Sequence, residues 1–289
     1  IALYNRGERV SMELHSTFGK YEIVRHLRER GEYVDVYEAS LASQGLPVEL
    51  HILRHRVSDK TPAFQRFLNE FQTLSSLIHP HVVKFVDFGI LDDRVFYATS
   101  STGAQTLDEL VSSGRRFGIL TTVELGRQMA VALAYLHGNN IIHRNIGPDS
   151  IFWHIEQKQA ILGGFGLVKN FKLINLTVRG IKQPTEPRMT PEKYRRQELD
   201  ARTDLYLLGG VLYWMLTGNP AISVEYDDMV PSLILVTEPP SFVNQDVPEQ
   251  LDELVMKLLE EEPSKRYRDA ATLETALDGV KHSLTTIGV

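Results

Sequence analysis

One short stretch, residues 141–153, carries the polar side chains whose types and spacing come nearest to a catalytic site. It reads IIHRNIGPDSIFW, and its His143, Asn145 and Ser150 lie between apolar residues that would hold a loop against a core. A loop of this kind can supply a proton acceptor and metal ligands. Asn145, however, is an amide that cannot accept a proton, and Gly147 has no side chain. The loop therefore looks catalytic in outline and lacks the expected groups.

The elements that position this loop begin with a strand-rich region. Between Tyr21 and Val57, runs rich in Val, Ile, Leu and Tyr are broken by the turn signals RERGE and SQGLP, which is typical of successive hairpins. A helix is predicted from the N-cap Thr61 to Pro80 because its apolar residues keep helical spacing. HVVKFVDFGIL and VFYATSS predict two more strands. The sequence thus indicates an antiparallel sheet carrying one helix.

The rest of the chain is predicted to be mainly helical. After a polar segment, STGAQT, apolar spacing favours further helices, and LTGNP gives a clear stop with Gly218 at the C-cap and Pro220 beyond it. The predicted helices are Leu107–Ser113, Thr122–Gly138, Thr203–Thr217, Pro248–Glu260 and Ala270–His282.

Composition excludes several classes of protein. The 289 residues are 43% hydrophobic and 24% charged, which is typical of a globular protein. A net charge of −6 argues against a nucleic-acid partner. The chain has no Cys, which excludes a disulfide framework and a thiolate nucleophile. It has no run of signal or membrane-span length, so we expect a cytoplasmic domain without membrane contact.

The outline and six motifs in order resemble a two-lobed protein kinase, from about Tyr21 to His282. The motifs are LIHPHVVKFVDFG, YLHGNNIIHRNIGPDSIFW, ILGGFGLVK, RMTPEKY, RTDLYLLGGVLYWMLTGNP and EEPSKRY. The resemblance implies an α+β fold, with a small lobe of a five-stranded antiparallel sheet plus one helix and a mainly helical large lobe. The implied segments are an N-terminal segment or boundary of a longer protein at 1–20, a small lobe at 21–101, a hinge at 102–106 and a large lobe at 107–289.

The resemblance also identifies the positions at which this chain departs from phosphoryl-transfer chemistry. Such chemistry uses a Lys on the phosphates, an Asp for the incoming hydroxyl, and an Asn and an Asp on magnesium. The corresponding residues here are His51, Asn145, Ser150 and Gly164, and the Lys of the catalytic loop is Gly147. We therefore expect no magnesium site, no other metal site and no bound cofactor.

The nucleotide positions implied by the resemblance are altered as well. The Gly-rich loop aligns with Glu29, Gly31 and Val34, so one glycine of three remains. Glu49 replaces the small residue above the adenine, and Phe152 replaces the Leu below it. We expect a pocket filled from both sides. The gatekeeper would be Thr99, and the hinge backbone beyond it could still pair with a base, which leaves a weak metal-free nucleotide site open.

Residues that brace the kinase fold are retained. The matching positions are Glu70, Leu74, His143, Arg144, Phe165, Asp204, Glu192 and Arg266. The resemblance pairs Glu70 with the residue at His51 and Glu192 with Arg266, and it makes Asp204 the anchor of the catalytic loop. His51 and Glu70 could equally be separate side chains. Arg144 could hold backbone carbonyls or receive a phosphate on Thr177 or Thr185.

Together these features predict a pseudokinase, that is, a kinase-like domain without phosphotransfer and therefore not an enzyme. It would act in signalling as a regulatory, scaffolding or protein-binding module, for example on an active kinase. The alternative is an atypical enzyme with residual phosphoryl or nucleotidyl transfer from a rearranged pocket. For that enzyme the nearby acids are Asp149, Glu70 and Asp35.

Overall fold

The computed structural model describes residues 13–30, 34–56, 75–165, 189–227, 230–235 and 238–287. These residues fall into two compact units, of which the first ends at Gly103 and the second begins at Ala104. As predicted from the sequence, the first unit contains an antiparallel sheet and the second unit is mainly helical. The helix predicted from Thr61 to Pro80 lies mostly outside the described residues.

The first unit is built on one antiparallel sheet with the strand order β1-β2-β3-β4-β6-β5. The prediction of five strands is short by one, because the two-residue strand β1 pairs with the start of β2. Two residues are too few for an apolar pattern to show in the sequence. The strands are β1 Thr17–Phe18, β2 Tyr21–Arg30, β3 Val34–Leu41, β4 Leu46–Arg56, β5 Phe85–Leu91 and β6 Arg94–Ser100.

The sheet curls so that its two ends approach each other. The hydroxyl of Tyr21 on β2 donates a hydrogen bond to the Asp87 carboxylate on β5 at 2.7 Å, although three strands lie between β2 and β5 in the sheet order. The ring of Phe96 packs edge-on against both Phe18 and Tyr21. One face of the sheet therefore encloses an apolar core, with Leu50 and Ile52 fully buried in it.

The second unit consists of helices and short strands. Its three-stranded sheet has the order β7-β8-β9, and β10 and β11 form a separate hairpin. The sequence did not predict these five strands. The elements are β7 Gln105–Thr106, α1 Leu107–Ser112, α2 Ile119–Gly138, β8 Ile151–His154, β9 Gln159–Leu162, α3 Pro191–Tyr194, α4 Ala201–Thr217, β10 Ile222–Asp227, β11 Val230–Leu235, α5 Glu249–Leu258 and α6 Ala270–Ile287.

Helix α4 is the buried axis of the second unit and has clear boundary signals. The Asp200 side chain caps its N-terminus by accepting a hydrogen bond from the backbone N–H of Arg202 at 2.8 Å. The predicted C-cap is confirmed, since Gly218 has φ 76° and donates its N–H to the carbonyl of Trp214. A Cβ on Gly209 would lie 2.6 Å from the Cβ of Leu258, so this glycine permits the close approach of α4 and α5.

Helix α2 fixes the β8–β9 hairpin, which follows the loop at residues 141–150. The buried amide of Gln128 donates to the carbonyl of Lys158 at 2.9 Å and accepts from the N–H of Ala160 at 2.7 Å. Glu124, one turn earlier, accepts hydrogen bonds from Gln128 and Lys281. Burial acts to raise the pKa of Glu124, but the hydrogen bonds from its donors have the larger effect and lower that pKa to about 2. The helix thus joins the hairpin to α6 through one ionised carboxylate.

Candidate functional site

The loop between α2 and β8 is held by the carboxylate of Asp204 on α4. Its two oxygens accept the backbone N–H groups of His143 at 2.8 Å and Arg144 at 2.6 Å. Asp204 is fully buried, and the Nε2 atom of His137 lies 2.8 Å from it. Arg144 has the left-handed φ of 63°, which a non-glycine residue adopts only where its surroundings hold it. Asp204 therefore fixes the path of the loop.

The ring of His143 ties the loop to the segment after β9. Its Nε2 atom lies 2.9 Å from the carbonyl of Gly163, and its Nδ1 atom lies 3.3 Å from the N–H of Asn145. These partners require a hydrogen on Nε2, which donates, and none on Nδ1, which accepts. The ring centroid is 4.7 Å from that of Phe165, so these two predicted residues are in contact. Leu74, predicted for the same stack, lies outside the described residues.

Two side chains at the predicted phosphoryl-transfer positions, those of Ser150 and Asn145, form hydrogen bonds with the protein backbone. The hydroxyl of Ser150 is fully buried, donates to the carbonyl of Gly147 at 2.9 Å and accepts from the N–H of the same residue at 2.9 Å. The amide of Asn145 is half-buried and lies 3.5 Å from the carbonyl of Gly164. Ser150 thus closes a turn that uses its hydroxyl hydrogen and one of its two lone pairs.

Gly164, just after β9, stands where the kinase resemblance expects a magnesium-binding Asp. Gly164 has a left-handed φ of 68°, a conformation that glycine adopts freely and that Asp and Asn tolerate better than most residues. Within the part of the chain that the structure describes, no three His, Asp or Glu side chains are grouped so that they could hold a metal ion. The residues present therefore do not fit the usual magnesium site of a phosphotransferase.

The predicted nucleotide positions of the first unit lie on the sheet face opposite its apolar core, beside the buried side chain of Val36. Glu49 on β4 is opposite Thr99 on β6, and His51 is opposite Tyr97, with which its ring stacks at 4.2 Å between centroids. The Nε2 atom of His51 is 3.8 Å from the Glu49 carboxylate. Glu49 also pairs with Arg28 on β2 at 2.7 Å. A charged side chain, Glu49, thus occupies the position at which the resemblance expects a small residue above the base.

The predicted Gly-rich-loop residues Glu29 and Val34 lie in strands of the first unit. Glu29 lies near the end of β2, and Val34 begins β3 and is buried. Gly31 and Glu70 lie outside the described residues, so the predicted pairing of His51 with Glu70 stays a prediction. In the second unit, Phe152 on β8 is 4% exposed and opposite Ile161 of β9.

Glu192 and Arg266 form a buried two-armed ion pair. Both guanidinium Nη atoms lie 2.9 Å from the Glu192 oxygens, and the two side chains are at most 1% exposed. Burial acts to raise the pKa of Glu192, but hydrogen bonds from Arg266 outweigh it and hold that pKa below its usual range. This pair connects the short helix α3 to the turn before α6.

Comparison with known families decides the relationship. The family model of the protein kinase domain matches residues 21–278. The chain belongs to the protein kinase domain family. The protein kinase domain therefore covers all the elements described above except the first short strand and the end of α6.

Several curated relatives of this protein kinase domain are bacterial serine/threonine-protein kinases. It is 29% identical over 286 residues to the serine/threonine-protein kinase PknD of Mycobacterium tuberculosis, covering 95% of this chain and 42% of PknD. It is 30% identical over 267 residues to PknH of Mycobacterium bovis, covering 90% and 44%. A probable serine/threonine-protein kinase of Clostridium perfringens is 27% identical over 268 residues, with coverage of 91% and 38%. The chain spans about two fifths of the length of these relatives.

A solved structure shows the same fold. The kinase domain of PknI from Mycobacterium tuberculosis superposes with a TM-score of 0.71 at 21% identity, covering 93% of this chain and 99% of that one. At that identity the likeness shows the fold alone. Among the described helices, none has the length and apolar character needed to cross a membrane.

The relatives correct one prediction from the sequence. The chain was predicted not to be an enzyme, and this is wrong, because its relatives are named serine/threonine-protein kinases, which points to an enzyme. The prediction equated altered motif residues with absent activity. That step fails physically whenever a missing group can be supplied from elsewhere in the site.

Sequence reasoning also missed two residues of this kinase domain. His137 contacts Asp204 from the last turn of α2, and Arg28 pairs with Glu49 across the intervening strand β3. His137 lies six residues before His143, so it could have been found as a polar residue on the otherwise apolar end of a central helix. Arg28 gives no such signal, because the partner of a charged strand residue depends on the register of the sheet.

Proposed function

We propose that this protein kinase domain acts in cytoplasmic signalling mainly by binding a protein partner, and that it binds ATP and magnesium weakly. The observation that carries the proposal is the contrast within one loop. Asp204 and His143 hold the loop in a fixed path, whereas the hydroxyl of Ser150 closes an internal turn with Gly147. A rigid framework suits the presentation of a surface to a partner.

Weak magnesium binding follows from the ligands available. A metal ion on the phosphates is usually held by carboxylate and amide oxygens, and it neutralises the charge that develops during transfer. Gly164 offers no side-chain oxygen, and the Ser150 hydroxyl already exchanges two hydrogen bonds with the backbone of Gly147. Nucleotide that does bind would therefore be held without the usual metal bridge.

A second candidate function is slow phosphoryl transfer by an atypical enzyme. It is favoured by membership of a family whose relatives are named as kinases. The acid would have to come from another residue, since the amide of Asn145 cannot accept the substrate proton. Asp149 is exposed in the same loop and is the nearest carboxylate in the sequence. Transfer that is lost on Asp149→Ala and retained in Asn145→Ala would support this function.

Nucleotide binding should show little dependence on magnesium. We expect ATP to raise the melting temperature of the domain by a small amount or not at all, equally with magnesium and with EDTA, because only ligands of the folded state stabilise it. In Gly164→Asp, which returns a carboxylate at a backbone that Asp tolerates, the shift should become magnesium-dependent. A large magnesium-dependent shift in the unaltered domain would contradict weak metal binding.

Partner binding should not require nucleotide. We expect proteins captured by the immobilised domain from a lysate of its source organism, identified by mass spectrometry, to be retained when ATP and magnesium are replaced by EDTA. They should also be retained by Asn145→Ala, which leaves the bracing contacts of Asp204 in place. Capture that needs both ATP and magnesium would instead indicate trapped substrates and would count against the proposal.

A further inference from the structure

We propose that the ion pair between Arg28 and Glu49 is a built-in block to adenine binding that sets the low nucleotide affinity of this domain. The inference rests on the proposed function, because it names the cause of weak ATP binding in the first unit. The Nη2 atom of Arg28 lies 2.7 Å from Oε2 of Glu49, and their side chains are 23% and 12% exposed. The pair is therefore mostly shielded from water by its surroundings.

The register of the sheet places the pair on one face. Residues directly opposite each other on neighbouring strands share a face, and Arg28, Val36, His51 and Tyr97 follow one another across β2, β3, β4 and β6. Glu49 is two residues from His51 on β4 and so belongs to the same face. The kinase resemblance places the adenine against this face at Glu49.

The chemistry of the pair opposes an adenine ring there. A base stacked on this face would remove the remaining water from both charges, and buried charges are costly even when paired. Glu49 also has the Nε2 atom of His51 at 3.8 Å, on an imidazole stacked against Tyr97. The carboxylate thus has cationic or polar neighbours on two sides. An apolar surface, by contrast, would gain free energy when a base covers it.

The test replaces the pair by small apolar residues. In the double variant Arg28→Leu with Glu49→Ala, we expect the affinity for ATP and for adenosine, measured by calorimetry in EDTA, to rise about tenfold or more. A control in the second unit is Arg195→Leu with Glu262→Ala, which removes an ion pair of 3.1 Å whose side chains are 35% and 54% exposed. This control should leave both affinities unchanged.

A second double variant protects the test against misfolding. Arg28→Gln with Glu49→Gln keeps the size of both side chains and removes their charge, so it should give a smaller gain in adenosine affinity. The ion-pair proposal is overturned if the folded variants bind ATP and adenosine no more tightly than the unaltered domain, or if the control pair gives the same gain. Tight magnesium-dependent ATP binding by the unaltered domain would overturn the proposed function instead, so the two failures are distinguishable.

Discussion

Replacement of Asp204 by alanine is expected to lower the free energy of unfolding by about 3 kcal/mol or more, although Asp204 is placed in no transfer step. The fully buried carboxylate accepts hydrogen bonds from the backbone N–H groups of His143 and Arg144, and it has His137 at 2.8 Å. Without it, both N–H groups lose their partner, and that of His143 is buried. Urea unfolding followed by circular dichroism measures the change.

The matched control for this prediction lies one helical turn earlier on the same chain segment. Asp200 caps α4 and is partly exposed, so Asp200→Ala should cost only about 1 kcal/mol. Asp204→Asn, which keeps an acceptor oxygen, should fall between the two alanine variants. Equal losses for Asp200→Ala and Asp204→Ala would show that the loop does not depend on the buried carboxylate.

The fold could be predicted largely from local patterns. The predicted start of helix α4, Thr203, is two residues late. Its last residue, Thr217, was predicted correctly because Gly218 and Pro220 are strong stop signals. The kinase-like architecture followed from motif order. The strands of the second unit were missed, since β7 has two residues and β8 and β9 have four each, too few for a periodicity that distinguishes them from loops.

The sequence could predict which residues form the candidate site, but not which contacts they make. The sequence indicated that Ser150 and Glu49 occupy altered positions, but it could not show that Ser150 bonds to Gly147 or that Glu49 bonds to Arg28. The first contact depends on the exact path of a turn, and the second depends on strand register. Both are set by tertiary packing, so altered residues acquired partners that a comparison of motifs does not reveal.

The second large effect is expected at Arg266, whose removal should cost about 3–5 kcal/mol of unfolding free energy. All five N–H groups of its guanidinium are used. They donate to the two oxygens of Glu192 and to the carbonyls of Glu260, Arg202 and Glu261. Arg266→Ala leaves the Glu192 charge buried without a partner. Arg266→Lys should also be strongly destabilising, because an ammonium group has three donors and cannot form the same fork.

Three comparisons separate this effect from a general loss of charge. Arg195, whose side chain is 35% exposed and pairs with Glu261 and Glu262, should cost at most about 1 kcal/mol when changed to alanine. The double variant Glu192→Met with Arg266→Met should be less unstable than Arg266→Ala, since it buries no unpaired charge.

Because the folded-state pKa of Glu192 lies below its ordinary value of 4.5, its contribution to stability is present above that pH and is lost as the pH falls through the folded-state pKa. The gap in unfolding free energy between the unaltered domain and Glu192→Gln should therefore narrow in acid, and a gap that stayed constant with pH would show that the pair stabilises the fold by packing and not by charge.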